Sequence, residues 1–220
     1  MRVRLVYRDG GKADHYEPVT VHSDDLPVLD EEMASELRQL RKGKKTVALV
    51  GAATSSCSLA PYGEDTEIWA LNEQHAYPWM KRATRWFQIH KPEKWHPFNL
   101  KWMQENPLKI PIYLQFIRPD IPNSTEYPLQ KVVDTFFPLF RRGKKKVKYL
   151  TSSFSLMFAL ALLEGYRRIE IYGFEMSDEL EYEKQRPCGE FWIGMAMGMG
   201  VEIYTPDNCQ LLNGELYGYN

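Results

Sequence analysis

The sequence predicts an α/β fold in which helices cover both faces of a mostly parallel sheet. Three observations predict it. Short apolar runs of strand length recur along the 220-residue chain. Segments with helical patterning separate most of them, and that alternation demands crossover connections. The run Thr46-Val47-Ala48-Leu49-Val50 is apolar throughout instead of alternating, as in a strand buried between two layers. Together they describe a single Rossmann-like three-layer domain, residues 46–220, with a small N-terminal appendage, residues 1–45.

In the appendage a strand is expected at Val3 to Tyr7, a turn at Asp9-Gly10-Gly11, and a charged helix from Asp30 to Arg41. The core begins with Thr46 to Val50, stopped by Gly51. Further strands are expected at Glu67 to Leu71, Arg85 to Ile89, Ile110 to Leu114, Val147 to Leu150, Ile169 to Tyr172 and Val201 to Tyr204. Helices are expected at Glu93 to Glu105, Leu129 to Arg141, Ser153 to Gly165 and Gly189 to Met199. The stretch Phe154 to Leu163 is apolar nearly all round, which means burial on every side, and Gly165 sits where a C-terminal cap belongs.

Composition narrows the function classes. Lys+Arg 28 against Asp+Glu 29 leaves a formal charge of −1, so no global basic field draws the chain to nucleic acid or to an anionic membrane. Any such contact must be local. The three cysteines, Cys57, Cys188 and Cys209, form no CxxC pair, which argues against a disulfide framework and a structural zinc site and for a reducing cytoplasm. The N-terminus lacks an apolar leader, and the longest apolar stretch, near Leu156 to Leu163, is too short to span a bilayer. No membrane partner is expected; a homo-oligomer stays open.

Ligands of open parallel sheets bind beyond the carboxyl ends of the strands, so the loops there are the place to search. After the first core strand, Gly51-Ala52-Ala53-Thr54-Ser55-Ser56 offers free N–H groups and three hydroxyls to a phosphate; the bland alternative is that Ser55 or Ser56 caps a helix. Asn72 is either a turn former or a ligand contact. Thr151-Ser152-Ser153 repeats the hydroxyl-rich pattern at a second helix start, again with capping as the alternative. Gly173-Phe174-Glu175 leads into a charged segment containing Tyr182, Gln185 and Arg186: Glu175 suits a base or a ribose contact, Arg186 a phosphate, and a solvated lid is the plainer account. His90, at a strand terminus, is the histidine best placed for acid–base work, or a satisfied structural one. No histidine and carboxylate set has metal-ligand spacing, and the run Arg141 to Lys146 reads as a solvated loop.

The passage Thr151-Ser152-Ser153, apolar helix, Gly165-Tyr166-Arg167-Arg168-Ile169-Glu170-Ile171-Tyr172-Gly173-Phe174-Glu175 resembles the sialyltransferase-like Rossmann proteins, a group that includes bacterial sialyltransferases and hydroxymethylpterin diphosphokinase-like proteins. The resemblance implies that Ser152 and Ser153 touch a nucleotide-sugar donor and that Gly173 and Glu175 lie by its nucleotide. Gly51, Thr54, Ser55 and Ser56 are similar to the family's first phosphate-side loop, Asn72 to its strand-end asparagine, and Tyr182 to the tyrosines that contact the donor phosphate. Three features depart from the pattern: Gly51-Ala52-Ala53 lacks a second glycine, Glu175 stands for an aspartate, and no histidine follows His96. The chain is also similar to small phage-encoded proteins with a Gly-Ala-Ala-Thr-Ser-Ser loop, which implies a bacterial or phage-infected cell. The resulting expectation is a metal-independent transferase with a nucleotide-activated donor, most simply a glycosyltransferase, with Glu175 or His90 as base and no tightly bound cofactor. A non-catalytic nucleotide-sequestering protein and a diphosphokinase, which would need magnesium, are the alternatives.

Overall fold

The computed structural model describes residues 26–138, 141–177, 184–214 and 217–218. In chain order the first elements are α1 (Glu31–Arg41), β1 (Thr46–Val50), β2 (Glu67–Leu71), β3 (Arg85–Phe87), α2 (Pro97–Glu105), β4 (Ile112–Leu114), β5 (Ser124–Glu126) and α3 (Leu129–Phe136). A short hairpin, β6 (Arg141–Arg142) and β7 (Lys145–Lys146), follows, then α4 (Ser153–Leu163), β8 (Arg168–Tyr172), α5 (Arg186–Gly198) and β9 (Glu202–Tyr204). The expected appendage strand at Val3 to Tyr7 lies outside the described residues.

Seven strands form one sheet in the order β5-β4-β3-β2-β1-β8-β9, and every ladder in it is parallel. The chain therefore starts in the middle, at β1, and runs outward to β5. It then crosses back through α4 to lay β8 on the other side of β1, pairing Val47 with Ile169 and Val50 with Tyr172. One face, carrying Val47, Leu49, Trp69, Phe87, Ile169 and Ile171, packs against α3, α4 and α5. The other carries Ala48, Val50, Ile68 and Tyr172, and farther out Ala70, Trp86 and Ile112, under α1, the segments around Leu59 and Trp79, and α2. This is the three-layer α/β architecture expected.

Helix α4 is buried on all sides, as its composition requires. The Ser152 hydroxyl accepts the Ser155 N–H at 3.2 Å while the Ser155 hydroxyl accepts the Ser152 N–H at 3.2 Å, a reciprocal capping box. At the other end Gly165 (φ +75°) donates to Leu162 O and Tyr166 to Ala161 O, the pair of bonds that closes a Schellman turn. Ser152→Ala is expected to lower the unfolding free energy by about 1 kcal/mol. An unchanged urea midpoint would show that the box does not hold α4.

Four expectations need correction. Val147 to Leu150 is not a strand: the Tyr149 carbonyl accepts instead from the Trp192 indole N–H (2.9 Å) and the Cys188 thiol (3.4 Å), so α5 takes up the backbone group a sheet would have used. The helix expected over Glu93 to Glu105 splits into a short 3₁₀ turn (Pro92–Lys94) and α2, because Pro97 forces His96 into an extended conformation. The helix from Leu129 stops at Phe136, ahead of Pro138. Residues 141–146, read as a loop, pair as an antiparallel hairpin.

Candidate functional site

The strand order places the topological switch point between β1 and β8, where connections leave in opposite directions and a crevice opens at the carboxyl ends. Here the loops after the two strands are bonded to each other. Gly51 N–H donates to Tyr172 O (2.7 Å), Ala53 N–H to Gly173 O (2.9 Å) and Gly173 N–H to the Ser56 hydroxyl (2.8 Å), while the Ser55 hydroxyl donates to the Glu175 carboxylate. The backbones touch because both contact points are glycines: a methyl at Gly51 would overlap the Gly173 carbonyl, and one at Gly173 would lie 2.6 Å from Gly51 O. Ser56 takes the N-cap position of the short helical turn that follows but makes no side-chain cap bond, its hydroxyl being bonded to Gly173 instead. Among the described residues the N–H groups of Ala52, Thr54 and Ser55 stay unbonded, which leaves three backbone donors free for an anion.

Glu175 is half-buried, and that burial pushes its carboxyl above the ordinary glutamate range. It therefore keeps its proton to higher pH than a surface glutamate. The loop is clasped from the C-terminal side, where Asn208 Nδ2 donates to Ser55 O at 2.7 Å and the Cys209 thiol to Phe174 O at 3.6 Å. Cys57 beneath it has its thiol pushed up to about 12, chiefly by burial, so it is no nucleophile.

A second group of expected residues stands beside the first. The Phe154 ring, one residue into α4, meets Phe174 with centroids 4.7 Å apart, which carries Ser152 and Ser153 to the β8 loop. The Thr151 hydroxyl donates to Lys184 O (2.8 Å), bringing in Gln185 and Arg186 at the start of α5. Close packing holds this corner: a methyl at Gly189 would meet Phe154 at 3.2 Å and the Met176 sulfur at 3.4 Å. Ser152 spends its hydroxyl on the cap, and Arg186 Nε donates to Glu190 Oε1 at 2.8 Å. Tyr182 lies outside the described residues.

Asn72 follows β2 in a left-handed conformation (φ +53°), donates its N–H to Phe87 O, and leaves its side-chain Oδ1 buried with no partner among the described residues. Its neighbours were not singled out from sequence. Gln74, 1% exposed, accepts from Leu71 N–H and donates to Val50 O, tying the ends of β1 and β2 together. Glu73 is half-buried, and burial raises its carboxyl too. His75 stacks on Trp102 (4.6 Å, 9°) and meets Asn99 Oδ1 at 2.9 Å. The signal available for all three was their place in the loop after a strand, the same one that picked Asn72.

His90 is not brought to Glu175. It follows β3, three inter-strand spacings from β8, or about 14 Å at the strand ends. Its Nδ1 lies 3.3 Å from Gln88 Oε1, and burial, with Lys94 nearby, holds the imidazole below its ordinary value and neutral. A cavity of about 480 Å³ opens between α1 and the Ser58 to Glu64 segment, and none of the expected site residues lines it. Among the described residues no three histidine, cysteine or carboxylate side chains converge as a metal-binding group. No described helix is long and apolar enough to cross a membrane.

No model of a known protein family matches the sequence, and no curated protein matches it. Among solved structures the chain is similar to the sialyltransferase CstII from Campylobacter jejuni in complex with the substrate analogue CMP-3FNeuAc, at 14% identity, over 73% of this chain and 79% of that one, with a TM-score of 0.49. It is similar as well to an alpha-2,3-sialyltransferase from Campylobacter jejuni in apo form, at 14% identity over 78% and 79% of the two chains, with a TM-score of 0.46.

Proposed function

We propose that this chain is a transferase acting on a nucleotide-activated donor, most simply a glycosyltransferase, with the donor seated over the β1–β8 switch point. The observation that carries the reading is the convergence there of a hydroxyl-rich loop, unbonded N–H groups and a half-buried carboxylate. The Ala52, Thr54 and Ser55 N–H groups hold the donor's phosphate, Ser56, buried and bonded to the Gly173 N–H, fixes the loop that presents them, and the start of α4, with Ser153, adds the positive end of a helix. Asn72 Oδ1 accepts from a donor hydroxyl or amino group. Glu175 takes the proton of the acceptor hydroxyl as the donor's phosphate departs; Ser55 orients the carboxylate. His90, too distant to act on the same proton, serves the acceptor side. The reading uses no metal; a diphosphokinase would.

The test is a thermal-shift screen against CMP, UDP and GDP and their sugar conjugates, with and without magnesium. A ligand at about 100 times its dissociation constant stabilises the folded chain by roughly 2.7 kcal/mol. A shift with one donor class is expected, reduced in Ser153→Ala and Arg186→Ala. Turnover is then followed as donor loss: retained ligand without product marks a sequestering protein, and dependence on magnesium marks the diphosphokinase. No shift with any nucleotide sinks the reading.

Glu175 supplies a pH signature. A base works deprotonated, so kcat/KM is expected to rise with pH through a value above the ordinary carboxylate range, and Glu175→Gln to abolish that limb. The stability sign is opposite. A carboxyl whose folded value is raised gives its full stability below its unfolded value and loses it as pH climbs through the folded one, so Glu175→Gln is expected to match or exceed the unmutated chain in stability at neutral pH. A variant that is less stable and equally active would remove Glu175 from the mechanism.

A further inference from the structure

We propose that the β6–β7 hairpin, with the exposed Phe191 of α5 beside it, docks the protein on an anionic lipid bilayer. Six of the eight residues from Arg141 to Lys148 are cations. Arg141, Arg142, Lys144, Lys145 and Lys148 are exposed, and none of these five pairs with a carboxylate among the described residues. The near-zero net charge averages this cluster away, but at physiological salt a surface feels only charges within about 8 Å.

The register sharpens the point. Arg141 stands opposite Lys146 and Arg142 opposite Lys145, so the hairpin sets like charges across both rungs of its own ladder. Such pairs are destabilising, and an isolated two-stranded hairpin has little stability to spare. An anionic field laid against the hairpin turns that repulsion into attraction.

The neighbourhood selects lipid over a nucleic acid. Phe191, 41% exposed, packs against Phe137 and Tyr149, the residues that flank the hairpin on either side. That places an exposed aromatic ring of α5 beside the cations. A bilayer interface buries apolar side chains beside cations, whereas a phosphodiester backbone offers them nothing.

The experiment is flotation of the full chain with vesicles of phosphatidylcholine, alone or mixed with phosphatidylglycerol. Partition to the anionic vesicles is expected to fall by about a hundredfold in the triple variant Arg142→Glu, Lys144→Glu, Lys145→Glu, and severalfold in Phe191→Gln. A salt titration of the unmutated chain reads the same charge dependence without substitution. Equal partition to neutral and anionic vesicles, an unmoved triple variant, or tighter binding to duplex DNA that ignores Phe191→Gln would overturn the proposal.

Discussion

Glu170→Gln is expected to lower the unfolding free energy by about 3 kcal/mol, and the melting temperature by roughly 10 °C, the largest loss any isosteric substitution in this chain should give. Glu170 is fully buried in the middle of β8. Its two oxygens accept from Arg41 Nε (2.9 Å) and Nη2 (2.7 Å), from Arg168 Nε (2.7 Å) and from the Tyr172 hydroxyl (2.8 Å). Burial works against the Arg41 charge, but the bond to Glu170 and its charge outweigh that, so the guanidinium is held above its ordinary value. Removing the carboxylate charge leaves two buried guanidiniums facing an amide that can accept at only one atom. Glu64 and Glu202, at 2.6 and 3.0 Å from Arg41 and Arg168, keep the loss from being larger. Arg168 Nη2 already has no partner among the described residues, so the network has no slack on that side. Urea titration of Glu170→Gln, Arg41→Met and the double variant reads it: the double should cost less than the sum of the singles. A single-variant change below about 1 kcal/mol would mean the charges are solvated and the network is not closed.

That network was not legible in the sequence, and the reason is physical. Arg168, Glu170 and Tyr172 alternate with Ile169 and Ile171, so the strand is readable, but the face carrying the charges looks solvent-bound by pattern. Only α1, whose Arg41 is 129 positions away, turns it into an interior. By contrast, the unit from Ser152 to Tyr172 was readable almost to the residue, because its signals are local: a capping serine, an unbroken apolar helix, a glycine with left-handed backbone and a β-branched strand. β5 escaped for the opposite reason, since Ser124-Thr125-Glu126 carries no apolar signature and holds its place at the sheet edge through backbone pairing with β4. Val147 to Leu150 has the composition of a strand, but its backbone groups found partners on α5 first.

The candidate site divides the same way. That its residues stand at strand ends follows from local pattern, which is why Gly51, Ser55, Asn72, Ser153, Gly173 and Glu175 all fall on the carboxyl edge. Which of them meet depends on strand order, and order is set by long-range packing. Hence Ser55 and Glu175, on loops after the first and last central strands, share a hydrogen bond, while His90 and Glu175 stand three strands apart.

Gly173→Ala and Gly51→Ala are each expected to destabilise the fold by about 3 kcal/mol and to open the crevice at which Ser55 and Glu175 meet. Gly173 has φ +67°, which alone costs a residue with a Cβ roughly 1–2 kcal/mol. Its methyl would also lie 2.6 Å from the Gly51 carbonyl oxygen and 3.0 Å from the Cys57 Cβ. Gly51 has no positive φ, so its cost is overlap alone, against the Gly173 carbonyl, whose carbon would lie 2.7 Å away. In both cases the obstacle is backbone, which no rotamer change relieves. The loops must part, taking with them the bonds from Ala53 to Gly173 and from Gly173 to Ser56. Gly43 is the control: it has φ +73° but nothing within 4 Å of its added methyl, so Gly43→Ala pays for the left-handed backbone only. Urea unfolding of the three variants, with nucleotide-induced thermal shift on those that fold, separates the contributions. Gly51→Ala and Gly173→Ala should cost more than Gly43→Ala and lose the ligand response. If Gly173→Ala costs no more than Gly43→Ala, the two loops do not touch, and the crevice lacks the mutual bonding on which the proposed donor site rests.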